Sequence, residues 1–305
     1  MRRMRGGALI IAILVVALVT ASAVLLLRNQ SLAAAQTETL LALGQGRQLL
    51  RGGLDWALSV LADDSRSNAI DHLQELWARP MPATASDGWE IEGRIADAQS
   101  RFNLNNLLRD GQPSQPDVEI FQRILQRIGA PPELANSLLD WLDEDAETRR
   151  PGGAEDSEYL SANPPYRAAN RLLGEIGNLS RVRGFSPALV EKLRPFVTVL
   201  PERTTININT APAEVLSVVV PGLSLGEAQA LSNSRVDAPF NSLVEFRARL
   251  PRSELRAADS GLSIGTRYFI VTGQARRDGI RQGMAALVLR PGPFIRPSVV
   301  WRREL

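Results

Sequence analysis

Eight carboxylates crowd one short stretch, DWLDEDAETRRPGGAEDSE: Asp140, Asp143, Glu144, Asp145, Glu147, Glu155, Asp156 and Glu158. A Pro-Gly-Gly loop divides them. Oxygen ligands on a flexible loop are what calcium takes, about six to eight at about 2.3–2.6 Å. Zinc would call for Cys or His, and the chain has no Cys and a single His. The spacing is not that of an EF-hand. Two readings stand: a calcium site, or a solvated acidic loop with Arg149 and Arg150 as local partners. A metal-assisted hydrolase would add an open coordination position with a polarised water and a base. No such constellation is visible. His72, in AIDHLQELW, has no nucleophile or base partner, which speaks against a triad. The chain reads as a non-enzyme with no small-molecule substrate.

A second chemistry is phosphate binding. Three segments share one plan: ILQRIGAPPELANSLLDWL, LSRVRGFSPALVEKLRPFV and VLSVVVPGLSLGEAQALSN. Each is an apolar helix end, a Gly (Gly129, Gly184, Gly222), a short turn and an amphipathic helix. VVVPGLSLGEA resembles the helix-hairpin-helix element, whose backbone N–H groups hold DNA phosphates. The nearest charge there is Glu227, however, and DNA binding needs several cationic neutralisations. Lys+Arg total 35 against 33 Asp+Glu, and Arg2, Arg3 and Arg5 more than account for the excess. The body of the chain is therefore no polyanion binder by net charge. A membrane-anchored DNA-binding protein is the alternative; no nucleic-acid partner is expected.

These groups must be held by helices and a sheet. Helical periodicity runs through Leu40, Leu49, Leu54, Trp56, Leu58 and Leu61, weakened locally by Gly44, Gly46, Gly52 and Gly53. SNAIDHLQELWAR reads as a shorter helix and MPATASDG as a loop. WEIEGRIADAQSRFNLNNLL begins as a strand. From about Asn103 to Ser260 the signals are mostly helical, with Thr210 a natural N-cap before Pro212 and Glu214. Trp56, Trp77, Trp141, Phe121 and Phe185 take core-like positions. After about Gly265 the period becomes two, with Asp278-Gly279 as a hairpin turn and PSVVWRREL as a further strand. A sheet interrupted by a helical domain is the economical reading.

The first residues carry a different signal. Ala8 to Leu27 contain no charged residue, and a helix of that length spans a hydrocarbon core of roughly 30 Å. The arginines before it hold the N-terminus in the cytoplasm, which puts the rest of the chain across the membrane. The run is longer than a secretory signal's core and continues into helical sequence, so a membrane helix fits better than a removed signal.

Gly7, directly before the apolar run and behind basic residues, resembles the type IV prepilin and pseudopilin leader, which a peptidase cuts after a Gly at the cytoplasmic face. Most members carry Glu at the fifth mature position; here it is Ala12. GGAEDSEYL, PPYRAAN and RVRGF, supported by FNLNNLL and NINTAPAEVL, resemble the large minor pseudopilin family of type II secretion that lacks this Glu, general secretion pathway protein K. The resemblance covers nearly the whole chain. It implies cleavage between Gly7 and Ala8 by the prepilin peptidase. It implies a single-pass inner-membrane protein, N-terminus cytoplasmic and soluble domain periplasmic, placed at the pseudopilus tip with minor pseudopilins I and J. That role is to help initiate the filament and export folded proteins across the outer membrane. It implies an α+β fold: a long N-terminal helix and a pilin-like antiparallel sheet interrupted by a large helical insert with helix-hairpin-helix-like units. The expected division is leader 1–7, membrane segment 8–28, first part of the pilin-like domain 29–102, insert 103–262 and C-terminal strands 263–305. The family is also associated with calcium in the insert, which makes Asp140, Asp143, Asp145, Glu155 and Asp156 the expected ligands.

Overall fold

The computed structural model describes residues 5–255 and 261–305; residues 1–4 of the expected leader and 256–260 of the expected insert lie outside the described residues. Helix α1 (Arg5–Ser67) runs unbroken for 63 residues, about 95 Å at 1.5 Å per residue. Its apolar N-terminal part is bare: Leu9, Leu14, Leu18 and Leu26 are all exposed. Its C-terminal part is amphipathic. Leu50, Leu54, Ala57 and Leu61 recur at helical spacing and are buried against the sheet. Trp56 points away from that face and is 46 % exposed, so it is not a core residue. The glycines do not break α1. At Gly46 the reason is a close approach: a Cβ would lie 2.4 Å from Gln282 Oε1 and 2.9 Å from Trp89.

Five antiparallel strands form the sheet: β1 (Met81–Ser86), β2 (Trp89–Asp97), β3 (Tyr268–Arg277), β4 (Ile280–Leu289) and β5 (Ser298–Glu304). Their spatial order follows the chain, so the sheet is a meander opened once, between β2 and β3. The pairing at that opening is in register, with Glu90 opposite Arg276 and Asp97 opposite Phe269. The β3–β4 turn is the expected one: Asp278 and Gly279 both have positive φ, 48° and 83°, as a two-residue type I′ hairpin requires. Two expectations are corrected. MPATASDG supplies an edge strand, because β2 pairs backbone to backbone with it (Thr84 opposite Ile91, Ser86 opposite Trp89) despite its Pro and exposed side chains. SNAIDHLQELWAR is a looped segment with only a short 3-10 turn, Leu76–Ala78. There the Glu75 carboxylate accepts from the His72 backbone N–H (2.9 Å) and from Trp77 Nε1 (2.7 Å), bonds that compete with a helix.

Between Asp97 and Tyr268 the chain builds the insert. Its helices are α2 (Gln115–Arg127), α3 (Leu134–Leu142), α4 (Asp156–Tyr159), α5 (Pro187–Leu193), α6 (Ala213–Val219), α7 (Leu225–Asp237) and α8 (Leu243–Ala248). The three helix–Gly–helix units form, with Gly129, Gly184 and Gly222 at φ 74°, 85° and 81°. The first arm of the second unit is a 3-10 helix, Ile176–Arg181. Short strand pairs tie the insert together, Phe102–Asn103 beside Val197–Thr198 and Ile206–Asn207 beside Leu262–Ser263. Its core is separate from that under α1 and includes the stacked rings of Phe102, Phe121 and Phe185.

The strand directions place the insert relative to the apolar helix. Gln282, early in β4, donates to the Leu43 carbonyl (3.0 Å), and Arg277, late in β3, reaches Gln45 (3.2 Å). Arg290, just past β4, meets Asp64 near the far end of α1 (2.5 Å). The β3–β4 turn therefore faces the apolar end of α1. The chain leaves and re-enters the sheet, at Asp97 and Tyr268, at the opposite end.

Candidate functional site

The acidic loop begins where α3 stops. Leu138, Leu139 and Leu142 anchor α3 in the insert core, which carries Asp140 and Asp143 inside with them. The loop is pulled back over the helix: Asn136 Nδ2 donates to the Pro151 carbonyl (2.8 Å) and Ser137 Oγ to the Gly152 carbonyl (2.5 Å). Gly153 is obligatory, since a Cβ there would lie 2.2 Å from the Arg149 carbonyl and 2.2 Å from Asp140 Oδ2. Behind the loop, Trp141 meets Tyr159 and Tyr166 in T-shaped contacts, the two tyrosine rings lie tilted against each other, and Tyr166 Oη donates to the Arg181 carbonyl (3.0 Å).

Three of the five expected ligands converge. Asp143, Asp145 and Glu155 each present an oxygen within 4.8 Å of the others. Asp140 is otherwise engaged: it accepts from the Arg149 backbone N–H (3.1 Å) and guanidinium (2.8 Å), on the Gly153 side. Asp156 sits at the start of α4, where it accepts from the Ala168 N–H (3.0 Å). Arg149 also pairs with Asp143 and lies 3.7 Å from Asp145. One guanidinium cannot satisfy this group. Asp143 Oδ1 and Glu155 Oε1 are buried without a hydrogen-bond partner, a costly condition. Burial, reinforced by the charges of Asp140, Asp143, Asp145 and Asp156, pushes the Glu155 carboxyl up to about 7. Burial raises Asp140 and Asp143 as well, with Arg149 opposing. The donors are hard oxygens, two are orphaned, and the charge is under-compensated; a calcium-sized cation fits. Asp143, Asp145 and Glu155 would hold it, and backbone carbonyls or water would complete the set.

The phosphate-binding reading meets an obstacle at the Gly222 turn. Ser224 caps α7, and the Glu227 carboxylate folds back onto the Ser224 N–H (2.8 Å). Arg252 closes over it, 3.0 Å from Glu227 and donating to the Gly222 carbonyl (2.6 Å). The Ser224 N–H and the cation that would meet a phosphate are already taken by the Glu227 carboxylate.

The asparagines of FNLNNLL and NINTAPAEVL act as staples. Asn105 Nδ2 donates to the Leu173 and Leu200 carbonyls while its Oδ1 accepts from the Leu173 N–H. Asn103 and Asn106 hold the 200–204 segment in the same two-handed way. Asn207 Nδ2 donates to the Asp71 carbonyl (3.0 Å) and to Asp97 Oδ2 (2.9 Å). Thr210 is not the N-cap of α6; that position is Pro212, and the Thr210 hydroxyl donates to Asp97 (2.6 Å). Asp97, which burial pushes up to about 6, therefore joins the end of β2 to the insert. Beside it Arg290 joins Asp64 and Asp71, each at 2.5 Å, and lies over the Phe269 ring. Asp97, Asp71 and Arg290 belong to no sequence motif.

An apolar helix that becomes the spine of an antiparallel sheet, with a helical body inserted beyond its far end, defines a pilin-like subunit with a candidate membrane anchor. That apolar stretch has a mean hydropathy of 3.1 and none of it is buried. Family models for protein K of the type II secretion system match residues 100–202 and 206–265. The chain is similar to type II secretion system protein K of Pseudomonas aeruginosa, 36 % identical over 95 % of this chain and 90 % of that protein. It is 30 % identical to that of Klebsiella pneumoniae, over 99 % of this chain and 96 % of that protein. A chain in the crystal structure of the GspK-GspI-GspJ complex from enterotoxigenic Escherichia coli superposes with a TM-score of 0.77 at 27 % identity, over 88 % of this chain and 99 % of that one. The chain belongs to the type II secretion system protein K family.

Proposed function

We propose that this chain caps the tip of the type II secretion pseudopilus together with minor pseudopilins I and J, helping to start the filament that exports folded proteins. The observation that carries this is the position of the insert. It occupies the end of the sheet farthest from the apolar helix, over the surface on which an identical copy would stack. Ala12 supports the same reading. An unpaired carboxylate in a bilayer is costly, and a subunit with none above it has no neighbouring ammonium for a Glu to meet. In this reading the prepilin peptidase cuts between Gly7 and Ala8, and the freed Ala8 amine is offered to a partner's Glu. The apolar helix sits in the inner membrane with its N-terminus cytoplasmic and the folded body periplasmic. Calcium at Asp143, Asp145 and Glu155 orders the loop of the insert; the orphaned oxygens support it. Purification of the full chain in detergent with I and J tests the assignment. A heteromeric complex, and no filaments of this chain alone, is the expected result. No complex together with long homopolymers would overturn it.

A further inference from the structure

The end of the sheet nearest the apolar helix carries a basic groove. Arg47 and Arg51, one turn apart on α1, face Arg281 on β4 and Arg302 on β5 across a cavity of about 220 Å³. Glu304 answers Arg47 at 3.3 Å, and both are more than half exposed. Among the described residues, the side chains of Arg51, Arg281 and Arg302 have no ion pair or hydrogen bond. The balance stays positive even if a carboxylate at Leu305 is counted. Gln282, in the wall, donates to the Leu43 carbonyl but leaves its own Oε1 covered and unpartnered. Gln282 thus braces the wall against α1, and the groove itself offers several guanidinium donors, a match for carboxylates.

We infer that this groove receives an acidic segment of the partner pseudopilin seated beneath this chain. The inference rests on the tip reading. With the insert over the far end of the sheet, stacking partners are left the near end, where the arginines converge. Lipid headgroups are the other source of anions, and distance argues against them. Leu43 lies fifteen residues beyond Arg28, where the apolar run has ended. Along the helix that is about 22 Å, beyond twice the screening length of about 8 Å at physiological salt. Complementary charge of this kind sets approach and register between partners.

The test uses the full chain in detergent with I and J, at about 50 mM and about 500 mM salt. R51E/R302E should weaken complex formation about tenfold at the lower salt, and the gap should close at the higher. R51Q/R302Q should give a smaller loss in the same direction. The melting temperature should hold or rise, since neither side chain has an internal partner to lose and a crowded like charge is relieved. R109E, an exposed charge on the insert, should bind like wild type. If wild type binds I and J and R51E/R302E binds equally well at low salt, the groove is not the contact and the tip reading survives. If wild type binds neither, the tip reading and this inference fail together. If the substitutions spare I and J but abolish binding to vesicles of anionic phospholipid, the groove is a lipid site and the inference is overturned.

Discussion

Single positions in the acidic loop decide whether a cation belongs there. Asp143 and Glu155 each bury an oxygen with no partner, so calcium should stabilise the native state alone. At a hundredfold excess over its dissociation constant that is about 2.7 kcal/mol, roughly 5–10 °C in midpoint for a body of this size. Asp143→Ala should remove most of the difference between melts in calcium and in chelator. Glu155→Gln separates repulsion from ligation. In chelator its midpoint should hold or rise, because a crowded charge is gone; in calcium it should gain less than wild type. A chelator midpoint well below wild type, with the calcium gain intact, would show that Glu155 serves packing alone. At the other end of the chain, Gly7→Ile should block leader removal, which intact-mass analysis of the membrane-extracted protein reads directly. A mature chain that begins after Leu27 would replace the pilin-type leader with a secretory signal.

At the scale of elements, the junction between sheet and insert depends on two buried charge groups. Arg290 is the cation between Asp64 and Asp71; Arg290 and Asp71 are almost fully enclosed and Asp64 is partly buried. Arg290→Met leaves the two carboxylates facing each other and should cost about 3–5 kcal/mol, read as a drop in denaturant midpoint. Asp97 gives a pH signature. Its folded-state carboxyl stands at about 6 against an ordinary 3.8, so the native state holds the proton longer than the unfolded chain. Its contribution is therefore fully present below about pH 4 and is lost as pH rises through about 6, at up to about 1.4 kcal/mol per pH unit. Asp97→Asn should flatten the stability profile across that window. It should also cost about 1–3 kcal/mol, because Asp97 accepts from Asn207, Thr210 and the Gln99 N–H, and an amide cannot accept all three. A profile unchanged by Asp97→Asn would mean that another group titrates there.

These junction groups also show what could be read from sequence. The β3–β4 hairpin was legible because Asp278-Gly279 carries its turn chemistry locally. The helix–Gly–helix units were legible for the same reason, each Gly marking a left-handed residue. The edge strand β1 was not, since its short, Pro-containing sequence of mostly small residues is held by the backbone of β2 rather than by a buried face. Thr210 looks like a helix cap in isolation, but its hydroxyl is claimed by Asp97, 113 residues earlier. Arg290 lies 226 residues from Asp64. Periodicity and local turn signals report nothing at that separation. In the acidic loop the residue types were visible, but the split was not. Asp143, Asp145 and Glu155 converge while Asp140 and Asp156 turn to Arg149 and Ala168, because Gly153 folds the loop onto the end of α3.

The whole molecule leaves one end of its sheet open, the end nearest the apolar helix. α1 supplies a bare apolar segment that is a candidate membrane anchor, the sheet packs on its C-terminal part, and the insert covers the far end. In the proposed tip role such a subunit offers contacts below itself and none of the same kind above. It should therefore occur once per filament. The most direct measurement is electron microscopy of sheared pseudopili assembled with this chain carrying a gold label on the insert. The account predicts one label at one end of each filament. Labels spaced along the filament length would contradict it.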